Sequence, residues 1–237
     1  MKILIFGATG MVGQGVLREC LRSAEVDLVQ TVGRTSTGQL DPRMRELIHH
    51  DMFSYDSIEA SLKGFDACFF CLGVSSAGMS EADYSRLTFD LTLAAAQTLA
   101  RLNPDMTFVY VSGAGTDSTE RGRSMWARVK GRTENALQHL PFKAVYLFRP
   151  GVIQPLDGIR SKTRSYRILY TIMNPLLTIL RGLLPDHILT TADIGQAMLA
   201  VASGGADKAV LEVADIRQIC RTTAHRATAL PVKQPES

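Results

Sequence analysis

The stretch Gly7-Ala8-Thr9-Gly10-Met11-Val12-Gly13 decides the fold of this chain. It follows the apolar run Lys2 to Phe6, which predicts a buried strand, and it leads into residues 12–21, whose apolar side chains recur at helical spacing. In such a strand–turn–helix unit the three glycines allow a tight turn, close approach of a pyrophosphate, and close helix packing. The stretch therefore predicts dinucleotide binding at the N-terminus of the first helix. The candidate binding residues are Gly7, Thr9, Gly10, Met11, Val12 and Gly13.

The rest of the chain alternates between strand-like and helical segments. Apolar runs predict further strands at residues 27–32, 47–51, 67–72, 106–111, 143–148 and 209–213. Helical spacing predicts helices over residues 91–102, 124–140 and 193–202. Strands joined by crossovers of this length run parallel, with helices on both faces of the sheet. The predicted fold is α/β, a doubly wound parallel sheet of the Rossmann type, in a single domain over residues 1–220.

Two segments depart from this alternation. Residues 152–190 combine basic residues with an apolar stretch that is interrupted by Asn174-Pro175 and Arg181-Gly182. We expect a small, strand-free helical lobe there, which would cover the carboxyl ends of the strands and shape the substrate pocket. The interruptions argue against a transmembrane helix. The end of the chain, residues 221–237, is polar and aperiodic and predicts a loose tail.

Length and charge exclude several classes of protein. A chain of 237 residues buries enough surface to form a core without disulfide or metal crosslinks. Its 26 basic and 23 acidic residues are nearly balanced and scattered, so we expect no nucleic-acid partner. We interpret the basic run Arg160 to Arg167 as a solvated face. The alternative is peripheral contact with an anionic membrane or a lipid-like substrate.

The N-terminal run and the cysteines bear on the compartment. The apolar run Ile3 to Phe6 is too short for the core of a secretory signal peptide, so we expect a cytoplasmic protein with free thiols. Cys68 and Cys71 lie three positions apart on a predicted strand, so their side chains face opposite sides of the sheet. No spacing of histidines or cysteines matches a metal site, and we expect no metal.

The end of the second predicted strand indicates which dinucleotide binds. Proteins that bind NAD carry an acidic side chain at this point for the ribose hydroxyl. This chain has Val32-Gly33-Arg34-Thr35-Ser36 instead, in which Arg34 suits a phosphate and the hydroxyl side chains are further donors. NADP(H) is therefore favoured over NAD(H), and the alternative is a solvated arginine. Asp51 and Met52, at the end of the third predicted strand, are placed to meet the adenine, although an aspartate there is equally often a helix cap.

Motifs at other strand ends have a recognisable pattern. They are Cys71-Leu72-Gly73, Val109-Tyr110-Val111-Ser112, Val129-Lys130-Gly131 and Arg149-Pro150-Gly151. With the glycine loop and Arg34, they resemble the atypical short-chain dehydrogenase/reductase superfamily, the branch that includes epimerase-like, NmrA-like and Tat-interactive-protein-like oxidoreductases. The resemblance implies that Leu72-Gly73-Val74 lines the cofactor, that Lys130 holds the nicotinamide ribose hydroxyls, and that Pro150-Gly151-Val152 passes beside the nicotinamide. It also implies an oxidoreductase that acts on a small carbonyl or alcohol.

The catalytic positions depart from this family. Its members donate a proton from a tyrosine four residues before the lysine, with help from a serine or threonine after the fifth strand. Here Trp126 occupies the tyrosine position on the same helix face as Lys130, and an indole N–H cannot serve as an ordinary acid and base. Ser112, Thr116 and Ser118 are candidates for the hydroxyl, and each is equally a turn residue.

The candidate catalytic residues are Lys130, Ser112 and Trp126, and two functions stay open. In the first, the chain is an NADP(H)-dependent oxidoreductase in which bound substrate or water supplies the proton. In the second, it is a catalytically weak or inactive NADP(H)-binding sensor or regulatory protein, because Trp126 replaces the usual tyrosine.

Overall fold

The computed structural model describes residues 1–156 and 188–229. Its main feature is a seven-stranded parallel sheet with the strand order β3-β2-β1-β4-β5-β6-β9. The strands of this sheet are β1 (Lys2–Phe6), β2 (Leu28–Gly33), β3 (Met44–Ile48), β4 (Ala67–Phe70), β5 (Thr107–Val111), β6 (Ala144–Arg149) and β9 (Val210–Glu212). Two short strands, β7 (Val152–Gln154) and β8 (Ile188–Thr190), form a separate parallel pair. The predicted doubly wound α/β fold is confirmed.

Helices cover both faces of the sheet. They are α1 (Met11–Arg22), a 3₁₀ helix (Asp56–Leu62), α2 (Glu81–Ser85), a π-helical turn (Arg86–Asp90), α3 (Leu91–Leu102), α4 (Met125–Gln138), α5 (Thr191–Gly204) and α6 (Val213–Ala229). Side chains of α1, α5 and α6 join one hydrophobic core, and those of the 3₁₀ helix, α3 and α4 join the other. In the described residues no helix is long and apolar enough to cross a membrane.

Strand β1 shows why the central strands are apolar throughout. Ile3 and Ile5 point into the core on one face, Leu4 and Phe6 point into the core on the other, and none of the four is exposed. A parallel strand covered on both faces has no solvated side, so its sequence does not alternate. The carboxyl ends of all these strands lie at one edge of the sheet, where ligands of open α/β sheets bind.

The cysteines follow the prediction from the strand pattern. Cys68 lies in the core on one face of the sheet, and Cys71 packs against the core on the other. Both are free thiols in the structure. Among residues 1–156 and 188–229, no group of three or more His, Cys, Asp or Glu side chains is arranged to hold a metal ion.

Three expectations need correction. Strand β3 spans Met44–Ile48 and not residues 47–51, because it is a polar edge strand whose apolar pattern is weak. Strands β7 and β8 lie at the two ends of the segment 152–190, so the lobe is not strand-free; strands of three residues are too short for periodicity to detect. Helix α6 continues to Ala229, so the expected tail is wrong over residues 221–229.

The remaining parts of those segments lie outside the described residues. They include residues 157–187, which contain most of the expected helical lobe and the whole basic run Arg160 to Arg167, and residues 230–237 at the end of the chain.

Candidate functional site

The glycine loop joins β1 to α1 in a conformation that needs glycine. Gly7 has φ +79°, and a Cβ atom there would lie 2.8 Å from the backbone of Cys71. A Cβ atom at Gly13 would lie 2.1 Å from the carbonyl oxygen of Gly7, so α1 starts directly against the loop. The Gly10 amide donates to the same carbonyl at 2.9 Å and closes the turn. These contacts give the first and third glycines the backbone roles that the sequence pattern predicts.

The N-terminus of α1 has no side-chain cap. Its N-cap residue is Gly10, which has no side chain to accept a hydrogen bond from the first turn, and that turn holds no acidic residue. Gln14 is occupied elsewhere, donating through Nε2 to the Thr9 carbonyl at 3.0 Å. The partial positive charge of the helix end is therefore not neutralised by a carboxylate of its first turn, which suits an anionic ligand.

A cleft follows the carboxyl edge of the sheet as two adjoining cavities of about 780 and 470 Å³. Both are lined by Gly10, Met11, Cys71, Leu72 and Gly73, so they form one continuous groove. The larger cavity also brings together the predicted residues Gly7, Thr9, Arg34, Thr35, Asp51, Met52 and Val74. The smaller cavity brings together the predicted residues Val12, Ser112, Lys130, Pro150 and Gly151.

Sequence reasoning missed several lining residues. They are Ile48, His50, Phe53, Leu87 and Leu91 in the larger cavity, and Gly113, Ala114 and Ile153 in the smaller. Ile153 takes the place expected for Val152, which is 47% exposed and does not line the cleft. Neighbouring residues of a strand face opposite sides, so a one-residue difference at the start of β7 decides which of them points inward.

The loop after β2 carries an arginine at the edge of the larger cavity. Arg34 is exposed, and within the part of the chain that the structure describes it makes no hydrogen bond or ion pair. Ser36 donates to Glu46 Oε2 at 2.5 Å, so its hydroxyl faces β3. The sequence pattern predicts instead that this hydroxyl is a donor to the phosphate in the cleft. Glu46 was missed because a carboxylate on a polar edge strand gives no signal in the sequence.

Asp51 forms a turn and not a helix cap. Its Oδ1 accepts from the Phe53 amide at 2.9 Å, and the 3₁₀ helix that follows has Tyr55 as its N-cap residue. Met52 is 6% exposed, and its carbonyl accepts from the Tyr55 hydroxyl at 3.0 Å. The turn thus fixes a polar and an apolar side chain side by side in the larger cavity.

The Ser112 hydroxyl belongs to a buried ion pair. It donates to Glu134 Oε1, and the carbonyl oxygen of Phe148 is 3.1 Å away. Glu134 is fully buried and pairs with Arg149, whose terminal nitrogen lies 2.5 Å from Glu134 Oε2. Arg149 also donates to Ser118 Oγ at 2.5 Å. Two of the three hydroxyl candidates are therefore engaged by this pair, although Ser112 still lines the smaller cavity.

Trp126 covers a turn beside the cleft. A Cβ atom at Gly115, where φ is +84°, would lie 3.6 Å from the indole ring, and one at Gly113 would lie 4.0 Å from it. Thr116, the third hydroxyl candidate, donates to the Gly113 carbonyl at 2.7 Å within this turn. Trp126 does not line either cavity of the cleft, although it holds the sequence position of the family's catalytic tyrosine.

Lys130 does line the smaller cavity. Its Nζ donates to the Ser112 carbonyl at 3.0 Å and to the Val111 carbonyl at 3.4 Å, and it lies 5.4 Å from the centre of the Tyr110 ring. Burial lowers the pKa of Lys130 from 10.5 to about 8, although the nearby Glu134 carboxylate acts in the opposite direction. Lys130 can therefore gain or lose a proton close to neutral pH.

Comparison with known proteins identifies relatives of this chain. A family model described as the NAD dependent epimerase/dehydratase family matches residues 3–122. The mitochondrial protein FMP52-2 of Scheffersomyces stipitis is 29% identical over 164 residues, which are 68% of this chain and 69% of that protein. Protein HTATIP2 of Rattus norvegicus is 25% identical over 155 residues, 64% of this chain and 62% of that protein. The chain thus matches about two thirds of the length of these relatives.

Solved structures show the same fold. The Bordetella bronchiseptica enzyme WbmF, solved in complex with NAD+, has a TM-score of 0.66 at 14% identity, over 100% of this chain and 81% of that one. An oxidoreductase of the short-chain dehydrogenase/reductase family from Burkholderia thailandensis has a TM-score of 0.61 at 15% identity, over 97% of this chain and 98% of that one.

The expectation of a cytoplasmic protein is wrong in the light of these relatives. Several of them, among them proteins from Scheffersomyces stipitis, Aspergillus oryzae and Chaetomium globosum, are named as mitochondrial. The short apolar run at residues 3–6 bears on secretion alone, and it carries no information that separates one internal compartment from another.

The family match covers just over half of the chain, from the start of β1 past the end of β5. It contains the glycine loop, and the fold of the remaining described residues agrees with the solved structures. The chain belongs to the NAD dependent epimerase/dehydratase family, within the atypical short-chain dehydrogenase/reductase superfamily that its motifs resemble.

Proposed function

We propose that this protein is an NADP(H)-dependent oxidoreductase that acts on a small carbonyl or alcohol. The observation that carries the proposal is the continuous cleft at the carboxyl edge of the sheet. Along it the arginine loop, the glycine loop and Lys130 follow one another in the order in which an extended dinucleotide would meet them.

The larger cavity fits the adenosine half of the cofactor. The uncapped N-terminus of α1 would hold the pyrophosphate, and Arg34 would bind a phosphate on the ribose. Gly73 supports this fit, because a Cβ atom there would meet nothing within 4 Å and the backbone is open to the cleft. Met52 and Phe53 would provide apolar contact for the adenine.

The smaller cavity fits the nicotinamide half. When bound there, the cofactor supplies or accepts a hydride. Lys130 would hold the nicotinamide ribose hydroxyls, and Pro150 and Gly151 would orient the ring. The lowered pKa of Lys130 also allows Nζ to give a proton to the oxygen of a reduced carbonyl and regain it from solvent.

A sensor that binds NADP(H) without turnover is the second candidate. It is favoured by Trp126, which packs on its turn outside the cleft, and by Ser112, whose hydroxyl is engaged by Glu134. Both groups that usually assist proton transfer in the family are thus absent or turned away. If the protein is a sensor, the cleft binds the cofactor, and the cofactor-bound form of the protein is recognised at another part of its surface.

Cofactor affinity tests the first step. Titration by nucleotide fluorescence should show that NADPH binds at least about tenfold more tightly than NADH. Arg34→Glu should abolish this preference because it places a negative charge beside the phosphate. Arg121→Glu makes the same charge reversal at an exposed position outside the cleft and should leave the preference intact. Equal affinities that Arg34→Glu does not change would rule out the NADP(H) assignment.

Turnover separates the enzyme from the sensor. We expect stopped-flow measurements with a panel of aldehydes and ketones to show NADPH oxidation, and Trp126→Tyr to raise its rate by on the order of 10²-fold by supplying a phenol. Trp126→Phe, which is aromatic but has no hydroxyl, is the control. If both the wild type and Trp126→Tyr bind NADPH but oxidise it no faster than buffer does, the sensor is the better description.

A further inference from the structure

The loop that follows Arg34 is tied to the edge strand by the carboxylate of Glu46. Glu46 Oε2 accepts from Ser36 Oγ at 2.5 Å, and Oε1 accepts from both the amide and the hydroxyl of Thr37 at 2.6 Å. The two hydroxyls in turn accept from the amides of Gly38 and Gln39. Glu46 is thus the centre of the hydrogen bonds that shape residues 36–39.

The sheet determines where this carboxylate stands. Strand β3 is the edge of the sheet, and Glu46 lies opposite Thr31 in parallel register with β2, two residues before β2 ends at Gly33. The loop that leaves β2 must turn across this edge before the chain enters β3. The contacts with Glu46 hold that turn against β3, and Arg34 lies two residues before its first contact, Ser36.

The charge of Glu46 is satisfied by neutral donors. Burial raises the pKa of its carboxyl, but the hydrogen bonds from Ser36 and Thr37 outweigh this and leave the pKa below the ordinary value. The carboxylate is therefore ionised at neutral pH and fully engaged by the loop. No ion pair joins it to Arg34 among the described residues, so the guanidinium stays available to the cleft.

We propose that Glu46 is the positioning residue of the cofactor's 2′-phosphate subsite: it fixes residues 36 and 37 against β3 and thereby places Arg34, two residues earlier, to meet the phosphate. The proposal rests on the proposed NADP(H) binding and adds a residue that never contacts the cofactor. It distinguishes two effects of the carboxylate. As an anchor it strengthens binding of the 2′-phosphate, whereas as a bare negative charge it would weaken it.

Two substitutions separate these effects. Glu46→Gln keeps Oε1 for the two contacts with Thr37 and removes the charge, whereas Glu46→Ala removes every contact. If Glu46 is an anchor, Glu46→Gln should stay within about threefold of the wild type, and Glu46→Ala should weaken NADPH binding by about tenfold with NADH almost unchanged. Glu59→Ala, which removes a half-buried glutamate that pairs with Arg101 outside the cleft, should leave the ratio of the two affinities unchanged.

The experiment measures dissociation constants by fluorescence for NADPH and NADH, and by calorimetry for adenosine 2′,5′-bisphosphate and adenosine 5′-monophosphate. In an Arg34→Ala background, Glu46→Ala should have no further effect on the preference, because an anchor acts only through what it holds. Tighter NADPH binding by Glu46→Ala, or equal weakening of both cofactors by Glu46→Ala in a protein whose circular dichroism is unchanged, would overturn the proposal. If the wild type binds neither cofactor, the proposed function itself fails.

Discussion

Replacing Lys130 by methionine should change how the stability of the protein depends on pH. Burial lowers the pKa of Lys130 from 10.5 to about 8. Between these two values the unfolded chain binds a proton that the folded protein does not, so the free energy of unfolding increases with pH across this window. A pKa difference of one is worth about 1.4 kcal/mol, which sets an upper limit of about 3 kcal/mol for this lysine.

Because Lys130 lines an open cleft, solvent screens part of this cost, and we expect about 2 kcal/mol. Urea unfolding at several pH values from 7 to 10 should show that the wild type gains about this much stability relative to Lys130→Met as the pH rises. Other groups that titrate in this range are common to both proteins and cancel in the difference. Lys143→Met, at an exposed lysine, controls for the loss of one positive charge. A difference between wild type and Lys130→Met that is constant over this range would refute the reasoning.

Two further predictions concern stability. Gly13→Ala places a Cβ atom 2.1 Å from a backbone oxygen of the glycine loop, so it should lower the free energy of unfolding by roughly 2–4 kcal/mol and remove most of the NADPH affinity. The control Gly204→Ala, where a Cβ atom meets nothing within 4 Å, should change the free energy of unfolding by no more than about 0.5 kcal/mol. Urea unfolding measures the stability and fluorescence titration the affinity, and similar losses in the two variants would contradict the role given to Gly13. Ser112→Ala removes a donor from buried Glu134 and should lower the free energy of unfolding by about 1–2 kcal/mol, and an unchanged value would show that the hydroxyl is not part of the ion pair.

The sequence predicted those parts of the fold that rest on long apolar runs. Strand β1 and helix α1 were found within a residue because their patterns are strong and a glycine loop separates them. Strand β3 was displaced by three residues, since an edge strand with Arg45 and Glu46 in it has almost no apolar pattern. Strands β7 and β8 pair across more than thirty residues of intervening chain, and no local signal marks such a pairing.

The residues of the candidate site also differ in how well the sequence predicts them. Residues that act through backbone conformation, such as Gly7 and Gly10, could be located because glycine spacing after a strand has one physical reading. Residues that act through side-chain direction could not. Whether the Ser112 hydroxyl faces the cleft or the core depends on Glu134, twenty-two positions later, and the anchor at Glu46 depends on how the loop crosses the sheet edge.

The two departures from the family's catalytic pattern have separate causes. Glu134 is fully buried beside Arg149, and a buried carboxylate needs donors for the lone pairs that the arginine leaves, so the Ser112 hydroxyl is held inward by the ion pair and not by the absence of a tyrosine. A phenol introduced at Trp126 would therefore find Lys130 in place but no serine hydroxyl beside it. The gain from Trp126→Tyr should then stop short of full family chemistry, and Lys130 should continue to determine the pH dependence of the rate.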